Sequence, residues 1–253
     1  MSFSDKYKKR LTRNGDDVGE VYNNNTIAFI ESTFSSAPTF RVLDVVSTEF
    51  PSIKKMDARV IEVERLGSLR EILFRHKQGL NVGTYVKFDG DTWLIFDKWG
   101  SIATGLKVMV EKCNRTIKWS RNGNVRELDC IASATPLGSK ANQGKNEIEW
   151  NKYDVRLPMG QLFCFVELNN YTREIELNQR FIFGSNVYEV VGIDDTTSVD
   201  TSVNPKGFGI LSLTLNITTK RANDDFENRI ASQEGIVVED QPAPQPNEGG
   251  SPW

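Results

Sequence analysis

The run Val82-Gly-Thr-Tyr-Val-Lys-Phe-Asp-Gly-Asp-Thr-Trp-Leu-Ile-Phe-Asp97 constrains the fold of this chain more than any other stretch. Two apolar segments flank Asp89-Gly90-Asp91. Asp and Gly tolerate the positive φ of a tight turn, so the pattern predicts a β-hairpin. A looser echo follows at Arg180-Phe-Ile-Phe-Gly-Ser-Asn-Val-Tyr-Glu-Val-Val-Gly-Ile193. In each, a phenylalanine (Phe88, Phe183) precedes a larger aromatic (Trp93, Tyr188) by five residues, with turn formers between. Two such hairpins predict two small β-units, and neither hairpin carries a catalytic signature.

The rest of the chain reads in the same style. Thr26–Ile30, Thr39–Val46, Asp57–Glu64, Leu69–Arg75 and Ala103–Lys112 are apolar, β-branched or alternating, and predict strands. Asn122-Gly123 between Cys113–Trp119 and Val125–Ala132 predicts a long hairpin joining the two halves. Tyr153–Leu157 and Gly160–Val166 alternate, as does Gly209–Thr218, where Ile210 is out of phase with Leu211, Leu213, Leu215 and Ile217. Lys220–Ser232 is charged and predicts a short helix. Residues 240–253 are proline-rich and too polar to order themselves. The expected fold is mainly β: two small barrel-like or sandwich-like units, with short helices at the N-terminus and near the C-terminus. The expected division is a polar arm or short helix over 1–25, a first β-unit over 26–120, and a second over 121–222. Long loops at 133–146 and 194–207 interrupt the second unit, and an extended tail covers 223–253.

Composition narrows the function by exclusion. A chain of 253 residues makes one large or two small domains, each able to bury a core. A net charge of −3 supplies no global basic field for nucleic acid. No apolar run approaches the roughly 20 residues that span a bilayer, and the first ten residues hold no apolar segment behind their lysines. The expectation is synthesis in a cytoplasm, without a signal peptide and without a membrane partner. Cys113, Cys130 and Cys164 form no Cys-x-x-Cys pair and are expected to be free buried thiols, with a Cys113–Cys130 bridge possible only if their strands adjoin. His76 is the one histidine, so no His-rich metal site can be built. P-loop, nucleophile-elbow and His-Glu-x-x-His patterns are absent from the sequence. Asp16-Asp17 and Asp194-Asp195 are expected to be solvated turn residues. Nothing selects a catalytic pair among Glu147, Glu149, Glu174 and Glu176. Trp93, Trp99, Trp119 and Trp150 serve either as core fillers or as a stacking platform for sugars or single strands. No catalytic, cofactor or metal residue is therefore assigned, and no enzyme is expected.

Four segments carry a resemblance: Lys6-Tyr-Lys-Lys-Arg-Leu-Thr-Arg-Asn-Gly-Asp-Asp17 with Asn25–Pro38; Val82–Lys98; Lys112-Cys-Asn-Arg-Thr-Ile-Lys-Trp119; and Arg180-Phe-Ile-Phe through Tyr188–Asp194 to Gly207–Thr214. In order and spacing they resemble the head-closure (stopper) or head–tail connector proteins in the neck of tailed phages that infect Gram-positive bacteria. Some similar proteins continue into an Ig-like module, which is not carried over to this chain. The resemblance implies a non-enzymatic virion protein. It would form a homo-oligomeric ring between the portal or adaptor ring and the tail proteins, with genomic DNA passing through without sequence-specific binding. Its two polar ends are the expected partner contacts: Lys6, Lys8, Lys9, Arg10 and Arg13 in the N-terminal arm, and Pro242, Pro244, Pro246 and Trp253 in the tail. The alternatives are a tail-terminator or baseplate component, and a carbohydrate-binding module or glycan-acting enzyme.

Overall fold

The computed structural model describes residues 4, 7, 17–47, 53–63, 67–75, 78–101, 105–121, 123–134, 160–200 and 207–233. Among the described residues the chain is mostly β, with two barrel-like sheets and a 17-residue helix near the N-terminus. That helix, α1 (Val18–Phe34), starts where the Asp17 carboxylate accepts from the Glu20 N–H at 2.8 Å. It absorbs Thr26–Ile30, which the β-branched composition assigned to a strand. The capped start and the regular i→i−4 ladder outweigh a weak local strand preference.

The first barrel comprises β1 (Phe40–Val46), β2 (Lys54–Glu62), β3 (Leu69–Phe74), β4 (Tyr85–Phe88), β5 (Asp91–Ser101) and β6 (Gly105–Lys112). The strands pair in the order β1-β2-β3-β6-β5-β4, and the ring closes where Val45 and Val46 of β1 pair with Val86 and Tyr85 of β4. Alternating residues point inward: Leu43 and Val45, Met56 and Ala58, Ile72 and Phe74, Val108 and Val110 fill the core with Val86, Trp93 and Ile95.

The second sheet comprises β7 (Arg115–Arg121), β8 (Asn124–Ser133), β9 (Gln161–Glu167), β10 (Arg180–Phe183), β11 (Asn186–Asp194), the short β12 (Val199–Asp200) and β13 (Phe208–Thr218). Its order is β10-β11-β13-β9-β8-β7, with β12 on the side of β13. Apart from β12, this repeats the first barrel strand for strand, β7 standing for β1 and β10 for β4. The two hairpins match in detail. In β4–β5 the turn lies at Asp89 (φ 51) and Gly90 (φ 82), and the Phe88 and Trp93 rings stack at 4.9 Å. In β10–β11 the Phe183 and Tyr188 rings meet edge to face at 5.8 Å. Both second strands shift register at the same distance beyond the turn, between Ile95 and Asp97 and between Val190 and Gly192.

Sheet membership changes between Lys112 and Arg115, not at residue 120. The Asn-Gly hairpin does not bridge the halves; β7 pairs with β8, and β8 runs on to pair with β9. The expected helix over 220–232 is absent. Asp224 and Asp225 accept from the N–H groups of Arg221 and Asn228, and Asp225 pairs with Ile230, so side chains satisfy the backbone in tight turns instead. The expected strand at 153–157 and His76 lie outside the described residues.

Candidate functional site

The barrels are joined by a shared apolar layer and a buried polar knot. Tyr85 and Leu94 from the first pack against Ile131, Phe165 and Ile210 from the second. Ile210 leaves the inward phase of Leu211, Leu213 and Leu215 because it faces the other barrel. Beside this layer the Tyr85 hydroxyl donates to the Asp129 carbonyl at 2.6 Å and accepts from the Glu167 N–H at 3.2 Å. The buried Glu167 carboxylate accepts from the Ser47 hydroxyl and from the Asn169 amide at 3.1 Å. Burial pushes the Tyr85 phenol well above its ordinary value, keeping it a neutral donor. Gly83 and Gly209 touch backbone to backbone: a Cβ on Gly83 (φ +89) would lie 1.8 Å from the Gly209 carbonyl oxygen.

The helix α1 is held at its C-terminal end. Arg59 donates to the Phe34 carbonyl at 3.2 Å, Arg75 pairs with Glu31 at 2.8 Å, and both guanidiniums lie over the buried Phe34 ring. Further out, Val18, Tyr22 and Phe29 share one face, at spacings of four and seven. They are 87 %, 72 % and 69 % exposed. Three large apolar side chains in a row on a protruding helix form a surface suited to contact with another molecule.

The segment after β13 is clasped to the second sheet by a buried ion pair. Arg180 meets both oxygens of Asp224, at 2.8 and 3.0 Å, and donates to the carbonyls of Ser232 and Thr219. Both side chains are essentially inaccessible. Burial pushes the Asp224 carboxyl up, but the N–H groups of Arg221 and Ser232 and the Arg180 guanidinium outweigh it and hold the group below its ordinary value.

Two pockets flank these features. One, of about 330 Å³, lies between the two hairpin tips and is lined by Asp91, Thr92, Asn114, Arg115, Asp129 and Arg229 among others. Asp91 is engaged by Lys112 at 2.6 Å, which leaves the arginines as the cationic part of its wall. The other, of about 300 Å³, lies between the end of β7 and the approach to β10, where Arg121 pairs with Glu176 at 3.1 Å.

Lys6, Lys8, Lys9, Arg10, Arg13, Pro242, Pro244, Pro246 and Trp253 all lie outside the described residues. Of the loop 133–146 only Ser133 and Ala134 are described; over 194–207, Val199 and Asp200 pair with Gly209 and Phe208 of their own sheet. Trp93 and Trp119 are buried in the two cores, and Trp150 lies outside the described residues. Cys113, Cys130 and Cys164 are free, and burial raises the Cys113 and Cys130 thiols above their ordinary value. Among the described residues no group of three or more His, Cys, Asp or Glu gathers as metal ligands, and no helix is long and apolar enough to cross a membrane. Sequence reasoning missed the α1 face, the Arg180–Asp224 clasp and the Gly83–Gly209 contact. Only the first had a local signal, in the spacing of Val18, Tyr22 and Phe29.

What the geometry defines is a pair of like barrels packed on a shared apolar layer, with an exposed apolar face on α1. Residues 115–216 match the family model of the YomX C-terminal domain, a phage-derived family of the Bacillus prophage type, and the match begins at the first strand of the second barrel. This is consistent with a phage protein. No curated protein and no solved structure matches the chain.

Proposed function

We propose that this protein is a structural subunit of the phage neck, assembling as a ring that joins the DNA-filled head to the tail and helps retain the genome. The observation that carries the reading is the exposed Val18, Tyr22 and Phe29 face of α1, anchored at one end to a two-barrel body. A rigid body with a protruding apolar arm is what a subunit needs to clasp a second copy of itself. The phage-derived family matched by residues 115–216 and the neck-protein resemblance of four segments support the same reading. The body carries no enzymatic role in this proposal. Its mildly acidic chain, at a net charge of −3, suits a lumen through which DNA slides without being held.

The test is cryo-electron microscopy of whole particles together with sedimentation of the purified chain. A ring at the portal vertex with α1 on the neighbouring subunit is the expected result. Tyr22→Asp with Phe29→Asp should abolish ring formation while leaving monomer melting unchanged. Density in the distal tail would move the protein to a tail-terminator or baseplate role. Infectious particles made without the protein would overturn the proposal.

A further inference from the structure

The repeated topology isolates one place where the barrels differ. In the first, β1 and β4 are joined by a ladder of hydrogen bonds. The equivalent strands of the second, β7 and β10, form no ladder; they meet through side chains, with the Trp119 and Phe181 rings edge to face at 6.2 Å. Beyond that ring contact Arg121 of β7 reaches across to Glu176 at 3.1 Å, and beside this bridge lies the 300 Å³ pocket lined by Trp119, Ser120, Arg121, Glu176, Leu177 and Gln233 among others.

Three observations indicate what the opening accepts. First, the Trp119 side chain is 1 % exposed, yet its indole N–H has no hydrogen-bond partner. A buried donor without an acceptor is costly and calls for one. Second, the strand edges facing the seam carry free backbone valence. β7 pairs Arg121 with Asn124 across its turn, so antiparallel alternation turns the N–H and C=O of Ser120 outward to the seam. Third, at Arg180, the counterpart of Tyr85 in the closed barrel, the outward backbone groups are met by a side chain imitating a strand. The Gln233 carboxamide accepts from the Arg180 N–H at 2.9 Å and donates to its carbonyl at 2.9 Å. An adjacent peptide group would make this same pair of bonds.

Gln233, the last of the described residues, lies on the wall of this pocket. The next residues are Glu234-Gly-Ile-Val-Val-Glu239, and Ile236-Val-Val238 is the one aliphatic run between Gln233 and Trp253. Three β-branched residues in sequence favour an extended backbone. A volume of 300 Å³ is at the small end for clefts and suits a short apolar stretch rather than a full strand. A tether this short gives its own segment an effective concentration in the millimolar range, well above that of any free competitor.

We propose that the open end of the β7–β10 seam is a docking groove whose occupant is Ile236-Val237-Val238 of the same chain. A carbonyl of the docked segment accepts from the Trp119 indole, and a valine side chain fills the pocket. The docked run supplies part of the ladder that β1 and β4 make in the first barrel, and it fixes the direction in which the proline-rich residues 241–253 depart. The proposal does not depend on ring assembly.

The test uses the full chain. Ser120→Cys with Val237→Cys is oxidised at several protein concentrations. The expected product is a 120–237 disulfide within one chain, found by peptide mass spectrometry, with unchanged chain mass and no dependence on concentration. Each single-cysteine variant controls for Cys113, Cys130 and Cys164. In parallel, hydrogen exchange of the Trp119 indole is followed by NMR. Val237→Asp should accelerate it about tenfold, the equilibrium equivalent of undocking one buried valine, while Asn247→Asp should leave it unchanged. Unaltered exchange in Val237→Asp overturns the proposal. A disulfide that forms only between two chains overturns the same-chain occupant.

Discussion

The first barrel is closed by strand pairing around its whole circumference, whereas the second, built on the same strand order, has no ladder between β7 and β10, which meet through the Trp119 and Phe181 rings. The difference shows how a repeated fold can divide its labour. A closed barrel offers no strand edge to a neighbour. The unit without that ladder carries the Arg180–Asp224 clasp and the residues up to Gln233 that pack against it. The first barrel instead anchors α1, using Arg59 and Arg75 on its outer surface.

The comparison can be broken most severely at the joint. Gly83→Ala should cost about 5 kcal/mol, because its Cβ meets a backbone oxygen that no rotamer change can move. Chemical denaturation should then show two transitions where the parent shows one; a single, unshifted transition would mean that the barrels do not depend on their contact. Next comes the clasp. Asp224→Ala leaves Arg180 buried and unpaired and should cost about 3–5 kcal/mol, with the loss confined to the second barrel by hydrogen exchange. The sign of its pH dependence is fixed: Asp224 is held low, so its stabilisation is present above the ordinary carboxylate value of about 3.9 and disappears as pH falls through the folded value. Melting of the parent and Asp224→Asn should therefore converge in acid.

A smaller effect is expected at Tyr85→Phe, about 1–2 kcal/mol, since the Asp129 carbonyl and the Glu167 N–H lose their shared partner. The Tyr85 phenol is raised, so the parent should lose stability as pH climbs past about 10, and the variant should lose less. Smallest is Phe29→Asp on the exposed face of α1, within about 0.5 kcal/mol for the monomer by thermal melting. A large destabilisation there would mean that the helix face is part of a core.

Much of this architecture was written in local sequence. The Asp89-Gly90 turn and the Phe88/Trp93 and Phe183/Tyr188 spacings announced matching hairpins, and each spacing brings its two rings together, stacked in the first and edge to face in the second. Ile210 stood out of phase in the sequence, and it faces the other barrel. Thr26–Ile30 misled because β-branched residues in a short window fit a strand as well as a helix, and the deciding cap, Asp17, lies nine residues upstream of Thr26. The place where one sheet gives way to the next was not legible, because strand pairing is settled by contacts distant in sequence. Asp224 reads as one charge among several in a polar stretch until the fold brings Arg180 to it, and Gly83 meets Gly209 only across the joint.

The contact of Gly83 with Gly209 also has a mechanical meaning. At that point backbone rests on backbone, with no side chain between to bend, slide or change rotamer. A change in the angle between the barrels would have to break this contact, so the joint resists hinging where Gly83 meets Gly209.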